Sequence, residues 1–192
     1  MHILWIIKYL KNTIKYAIVY RRQTNLDNMY VAYCDASFAT ETRSRSRYGY
    51  VYLFLNALVS WTSVHTTRVL TSCTEAECHS VVHTAKENTW MREFVAELGL
   101  FDFKGPTIVH QDNKGTIALM KGGGKHKRSK HFTIEFDALR EHVRNNEIEI
   151  VYTDTENMPA DMFTKILPKK FEKHRERVLS SHAGFIQIEA RC

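Results

Sequence analysis

The sequence predicts an α/β fold, a mixed sheet with helices packed on it, and three observations carry this prediction. Three apolar, strand-length runs follow one another near residues 29–63 with only tight turns between them. Two more such runs, 107–111 and 147–153, are each set between helical patterns. Ser, Pro and Gly punctuate the boundaries where helices should start and stop. A meander followed by alternating strands and helices makes a mixed sheet covered by helices.

The elements follow in chain order. Residues 3–20 read as a helix, with Leu4, Ile7, Leu10, Ile14, Ala17 and Ile18 on one stripe. Residues 29–36 are apolar on both faces, as a central strand should be. Residues 40–47 form a basic turn in which Arg43, Arg45 and Arg47 alternate with serines. Strands 48–55 and 57–63 make a hairpin closed tightly at Asn56. Ser72-Cys73-Thr74-Glu75 and Thr74-Glu75-Ala76-Glu77 both fit a capping box, so a long helix begins there. Its expected buried face is Val81, Val82, Ala85, Met91, Phe94, Val95 and Leu98, with Gly99 at the C-terminal cap. Pro106 opens strand 107–111, and a short helix covers 113–121. A basic stretch at 125–131 leads to helix 133–145 and strand 147–153. Asn157 should cap a helix reaching Ile166 with Pro159 in its first turn, and 169–180 should be a charged terminal helix.

A chain of 192 residues, 44% apolar and 25% charged, suffices for one domain with a proper core. The expected division is an N-terminal helix at 1–28, a catalytic-type domain at 29–168, and a helix and tail at 169–192. A net charge of +6 leans toward a polyanionic partner. Cys34, Cys73, Cys78 and Cys192 form no CxxC pair, so reduced thiols in an intracellular protein are expected, in cytoplasm or nucleus. Lys8, Lys11 and Lys15 interrupt the apolar N-terminus, which argues against a membrane span. No acid precedes Asp27, a composition shared by mitochondrial presequences, although a docking helix left from an upstream domain is the preferred reading.

Four acids carry the chemistry. Asp35 and Asp112 each end an apolar strand, Glu77 lies near the start of the long helix, and Asp161 opens a helix after Pro159. If the two strands are parallel neighbours, their ends lie ~5 Å apart and the carboxylates share one mouth of the sheet. Such acids repel unless a cation joins them, and an all-oxygen ligand set favours Mg²⁺ or Mn²⁺ over zinc. Two such ions about 4 Å apart promote in-line displacement at phosphorus. The plainer reading makes each acid a turn residue or helix cap; the four together in this element order favour metal. No GxSxG, HExxH or P-loop supplies another chemistry. His79 and His83 have a spacing that could hold zinc but lack a third ligand, so they are expected on the flank of the helix. Trp61, Trp90 and Tyr48 are expected in the core.

At these residues the sequence resembles the C-terminal ribonuclease H domain of copia-like LTR retrotransposon Pol polyproteins. The resemblance rests on Tyr33-Cys34-Asp35-Ala36-Ser37, Tyr48-Gly49-Tyr50-Val51, Val59-Ser60-Trp61-Thr62-Ser63 and Ser72-Cys73-Thr74-Glu75-Ala76-Glu77. It continues through Gln111-Asp112-Asn113-Lys114-Gly115, Ser129-Lys130-His131 and Asn157-Met158-Pro159-Ala160-Asp161, and spans roughly residues 29–168. Residues 4–20 resemble the segment that joins reverse transcriptase to that domain. The resemblance implies a ribonuclease H-like fold, a five-stranded mixed sheet flanked by helices. It implies hydrolysis of the RNA strand of an RNA/DNA hybrid, leaving 5′-phosphate and 3′-hydroxyl ends. Asp35 would bridge two Mg²⁺ or Mn²⁺ ions, Glu77 and Asp112 would complete the site, and Asp161 would hold the second ion.

Candidate contacts to the hybrid are Ser37, Arg43, Arg45, Arg47, Asn113, Lys125, Lys127, Arg128 and Lys130. A reverse transcriptase domain or larger assembly is a further expected partner. Cys78, Thr133 and a 153–158 loop without histidine depart from the family pattern. The rival expectation is a domesticated, non-catalytic subunit that binds RNA or protein.

Overall fold

The computed structural model describes residues 2–21, 29–99, 103–121 and 130–179. One sheet organises it. Strand β1 (Tyr30–Glu41) pairs antiparallel with β2 (Arg45–Phe54), which pairs antiparallel with β3 (Ala57–His65). On its other side β1 runs parallel to β4 (Thr107–Gln111), and β4 runs parallel to β5 (Ile148–Tyr152). The strand order is therefore β3-β2-β1-β4-β5, with β1 central.

Alternation along β1 sends its side chains into two cores. Tyr30, Ala32 and Cys34 join Tyr52, Val109, Ile148 and Ile150 under helix α2 (Cys73–Glu97), α3 (Lys114–Lys121) and α4 (Lys130–Arg144). Val31 and Tyr33 join Val51, Leu53 and Leu58 on the opposite face. There they meet Met158 and Ala160, next to α5 (Asp161–Thr164), and Val178 of α6 (Phe171–Val178). Burial on both faces explains why β1 reads as a continuous apolar run. Each large apolar side chain buried here contributes about 1.5–3 kcal/mol.

Local chemistry sets the boundaries. Leu55 and Asn56 both take positive φ, 51° and 61°, which matches the twist a two-residue hairpin needs. Ser72 caps α2, its hydroxyl accepting from the Glu75 amide at 3.1 Å. Gly99, at φ 63°, closes the helix in the left-handed conformation that glycine adopts without penalty. Asn113 caps α3 by accepting from the Thr116 amide at 2.9 Å.

Several expectations are corrected. The first helix, α1 (His2–Asn12), is shorter than 3–20. It ends as the backbone bonds tighten: the Thr13 N–H is shared between the Tyr9 and Leu10 carbonyls at 3.0 and 3.2 Å, and the Tyr16 N–H then turns back to the Thr13 carbonyl at 2.9 Å. Beyond it the chain runs back along α6 and β3. Arg175 Nη2 donates to the Tyr16 hydroxyl at 2.8 Å, and the Tyr20 hydroxyl donates to the Leu58 carbonyl at 2.6 Å. Instead of one turn at 40–47, β1 continues to Glu41 and a tight turn at Thr42–Ser44, with Arg43 and Ser44 at positive φ, leads into β2.

Asn157 does not cap a helix reaching Ile166. Met158, held out of the helical region ahead of Pro159, is extended, and α5 is a single turn. Phe94 and Leu98, expected in the buried face of α2, are exposed, as are Trp61 on the edge strand β3 and Trp90, which stacks on Phe94. Cys34 and Cys78 are buried free thiols and Cys73 is an exposed one. No helix among the described residues is long and apolar enough to cross a membrane.

Candidate metal centre at the mouth of the sheet

The last parallel pair between β1 and β4 is Tyr33 with His110. Asp35 lies two residues beyond its end on β1, and Asp112 two residues beyond on the β4 side. Adjacent strands are spaced ~4.8 Å apart, so both carboxylates open onto the same carboxyl end of the sheet. Asp161 arrives from the opposite side as the first residue of α5. The carboxylates of Asp35, Asp112 and Asp161 each offer an oxygen within 4.8 Å of the others. Asp35 and Asp161 are buried and Asp112 is half-buried.

Gly49 makes this approach possible. It lies opposite Asp35 in the β1–β2 register. A side-chain carbon at Gly49 would stand 2.8 Å from Phe163 Cβ and 3.1 Å from Thr164 Cγ2. Only a glycine lets α5 settle onto β2 closely enough to bring Asp161 beside Asp35.

Glu77 is buried on α2 and enters the site through Gln111, whose Nε2 donates to Glu77 Oε2 at 3.2 Å. The amide oxygen of the same Gln111 accepts from the backbone N–H groups of Asp112 and Asn113, at 2.7 and 3.0 Å. One fully buried side chain thus ties the acid on α2 to the loop that carries Asp112. The Thr155 hydroxyl donates to Asp112 Oδ2 at 2.8 Å and turns that carboxylate.

Charge is concentrated here. Two full charges 4 Å apart interact by about 4 kcal/mol at an effective dielectric near 20. Burial, with the negative charge of Asp161 behind it, pushes Asp35 up to about 7, against the opposing pull of Lys165. Burial and the charges of Asp35 and Asp112 raise Glu77 well above the usual carboxylate range. Lys165 Nζ lies 3.0 Å from Asp35 Oδ1 and 2.9 Å from Asp161 Oδ1. Burial works to lower the Lys165 pKa, but the two carboxylates outweigh it and raise it. The Thr164 hydroxyl donates to Asp35 Oδ2. Oxygen donors alone, carrying excess negative charge, fit a hard divalent cation such as Mg²⁺ or Mn²⁺ and not zinc.

The four sequence-selected acids therefore converge, three in one tight group and Glu77 bound to Gln111 beside them. Sequence reasoning missed Lys165, Gln111, Gly49 and Thr155. Lys165 had a usable signal, four residues after Asp161 on a helix pattern.

The candidate nucleic-acid residues divide. Arg43 is exposed in the tight turn between β1 and β2, at φ 62°. Arg45 donates to the carbonyls of Thr66, at 2.8 Å, and Thr67. Arg47 is engaged by Glu41 at 2.7 Å and Ser63 at 2.9 Å. Ser37 is buried against Thr40 at 2.7 Å. Lys130 opens α4. Lys125, Lys127 and Arg128 lie outside the described residues. His79 pairs with Glu135 at 3.3 Å and His83 stacks on Tyr48, so neither belongs to a metal group among the described residues.

Comparison with known proteins decides the kinship. The retrovirus-related Pol polyprotein of transposon TNT 1-94 from Nicotiana tabacum is 33% identical over 176 residues, 91% of this chain and 13% of that polyprotein. The Pol polyprotein of transposon RE2 from Arabidopsis thaliana is 28% identical over 188 residues, 97% of this chain and 12% of its own length. This chain is a relative of copia-like retrotransposon Pol polyproteins. It spans only a small part of these Pol relatives. No protein-family model matches it.

The fold is the ribonuclease H fold. LC11-RNase H1, solved in complex with an RNA/DNA hybrid, superposes with a TM-score of 0.53 at 15% identity, over 70% of this Pol-related chain and 93% of that one. A second structure of LC11-RNase H1, isolated from compost, gives 0.53 at 18% identity over 71% and 93%.

Proposed function

We propose that this chain is a divalent-metal-dependent ribonuclease H that hydrolyses the RNA strand of an RNA/DNA hybrid. The observation that carries the reading is the meeting of Asp35, Asp112 and Asp161, from three separate elements, with oxygens within 4.8 Å of one another. The relatedness to Pol polyproteins and the hybrid held by LC11-RNase H1 support the substrate class.

Asp35, Glu77, Asp112 and Asp161 would hold two Mg²⁺ or Mn²⁺ ions. Bound ions supply positive charge at both the attacking and the leaving oxygen of an in-line displacement. The chain's own residues prepare the site. Gln111 fixes Glu77 relative to Asp112, Thr155 orients the Asp112 carboxylate, and burial of Asp35 and Asp161 excludes water from their inner oxygens. Arg43, which is exposed, is a proposed phosphate contact, with Ser37, Arg45, Arg47, Asn113, Lys125, Lys127, Arg128 and Lys130 completing the proposed set. A reverse transcriptase domain is the proposed larger context.

The test is cleavage of a hybrid carrying labelled RNA. The protein with Mg²⁺ or Mn²⁺ releases RNA fragments ending in 3′-hydroxyl, and Asp112→Asn lowers the rate at least about 100-fold. Undiminished cleavage by that variant overturns the assignment. Hybrid binding with no fragment under either ion replaces it with the non-catalytic subunit.

A further inference from the structure

We propose that Lys165 is a resident counter-cation that occupies the mouth of the sheet and competes with divalent metal for Asp35 and Asp161. The inference rests on the metal reading above and concerns how that site is filled and emptied.

The geometry has three parts. First, α5 ends at Thr164, and the C-cap Lys165 turns extended at φ −133°, ψ 153° while its N–H still bonds back to the Asp161 carbonyl. The side chain therefore leaves from directly beneath the acid it contacts. Second, Nζ lies 3.0 Å from Asp35 Oδ1 and 2.9 Å from Asp161 Oδ1, so one ammonium spans both. A divalent ion bound directly to those same two carboxylates would stand within a few ångströms of Nζ, and like charges that close in a half-buried site repel strongly. Third, the Lys165 side chain is 35% exposed while Asp35 is fully enclosed. The lysine has an open route outward on a flexible four-carbon stem, whereas the carboxylates have none.

Two consequences follow. Without metal, Lys165 offsets part of the repulsion among the acids and keeps them gathered. With metal, Lys165 withdraws, and the lost ion pairs are subtracted from the metal's binding free energy. An ordinary structural salt bridge would act on stability with and without metal alike and would not oppose metal binding.

The experiment uses the full chain and the variants Lys165→Met and Lys165→Gln, with Mn²⁺ as the probe. Mn²⁺ affinity is measured by calorimetry, and thermal unfolding is followed in chelator and in saturating Mn²⁺. Both variants are expected to lose stability in chelator and to bind Mn²⁺ about tenfold tighter. The metal-induced rise in Tm is then larger than in the unsubstituted protein. A Lys165→Met protein that folds only when Mn²⁺ is present also supports the proposal. Equal or weaker Mn²⁺ affinity in both variants, with the unsubstituted protein binding Mn²⁺, overturns it alone. Absence of Mn²⁺ binding in all three proteins overturns the metal reading and this inference together.

Discussion

Helix α2 carries charge into two neighbouring regions that differ in how that charge is settled. On its outer flank, Glu75 faces Arg68 at 3.6 Å, and Glu135 from α4 pairs with both Arg68 at 3.0 Å and His79 at 3.3 Å. Each acid there has a basic partner. At the mouth of the sheet, Glu77 joins Asp35, Asp112 and Asp161, and a single ammonium, Lys165, touches two of the four. Paired charges can be accounted for by folding alone. An enclosed excess of one sign costs stability; burial first, and then the neighbouring negative charges, raise Asp35 and Glu77 from the ordinary carboxylate range, and the proposed metal site rests on this cluster.

The largest expected effect separates the regions outright. Glu77→Gln should lower hybrid cleavage at least about 100-fold while leaving Tm in chelator unchanged or higher, because it removes a carboxylate that the fold disfavours in its charged form. Glu135→Gln should do the reverse, keeping cleavage and losing at most about 1 kcal/mol in denaturant unfolding. Equal effects of the two substitutions on both assays would erase the distinction.

Next in size are the residues that position the acids. Gly49→Ala forces a methyl against Phe163 and Thr164 and should cost about 2 kcal/mol of stability. It should also weaken Mn²⁺ binding, since α5 carries Asp161. Gln111→Leu leaves the amides of Asp112 and Asn113 and one oxygen of Glu77 without their partner, a loss of about 2 kcal/mol by chemical denaturation.

The smallest effect is in pH. Asp35 and Glu77 hold protons more tightly folded than unfolded, so in chelator their contribution to stability falls as pH rises above about 4, and for Asp35 it is lost as pH passes about 7. His83 and His110, both lowered to about 4 by burial first and then by neighbouring positive charge, act oppositely. Their contribution is present above the unfolded value and lost as pH falls from about 6.5 to 4. The difference between Mg²⁺-loaded and chelated Tm cancels the histidines. It should be small at pH 5.5 and grow by a few degrees as pH passes through 7. A difference that is flat with pH would mean the acids at the mouth are already ionised without metal.

Much of this was legible in the sequence because it rests on local rules. The run before Asp35, the Ser72 cap, Pro106 before β4 and Gly99 after α2 each act through backbone neighbours a few residues away, and the structure follows them. The convergence of the four acids was legible through element order, on the condition that β1 and β4 are parallel neighbours, and through the motifs of the resembled family. Harder features depend on close approach between distant segments. Gly49 reads as one more strand glycine until α5 is seen lying on it. Gln111 reads as a polar strand residue until Glu77 and two backbone amides are found on its one amide group. The overlong N-terminal helix shows the limit of periodicity: an apolar stripe continues past Asn12, but at Thr13 and Tyr16 the backbone bonds tighten to the third residue back and the helix ends. At 157–166, Pro159 suggested a helix start, while its restriction on Met158 instead delayed the helix to Asp161.

The most direct test is diffraction from crystals grown with Mn²⁺, read through its anomalous signal. Mn²⁺ is expected within direct ligand distance of Asp35 and Asp161, with the Lys165 ammonium moved outward from both. Crystals that leave Lys165 bridging the two carboxylates at saturating Mn²⁺, with no anomalous peak at the sheet mouth, would contradict it.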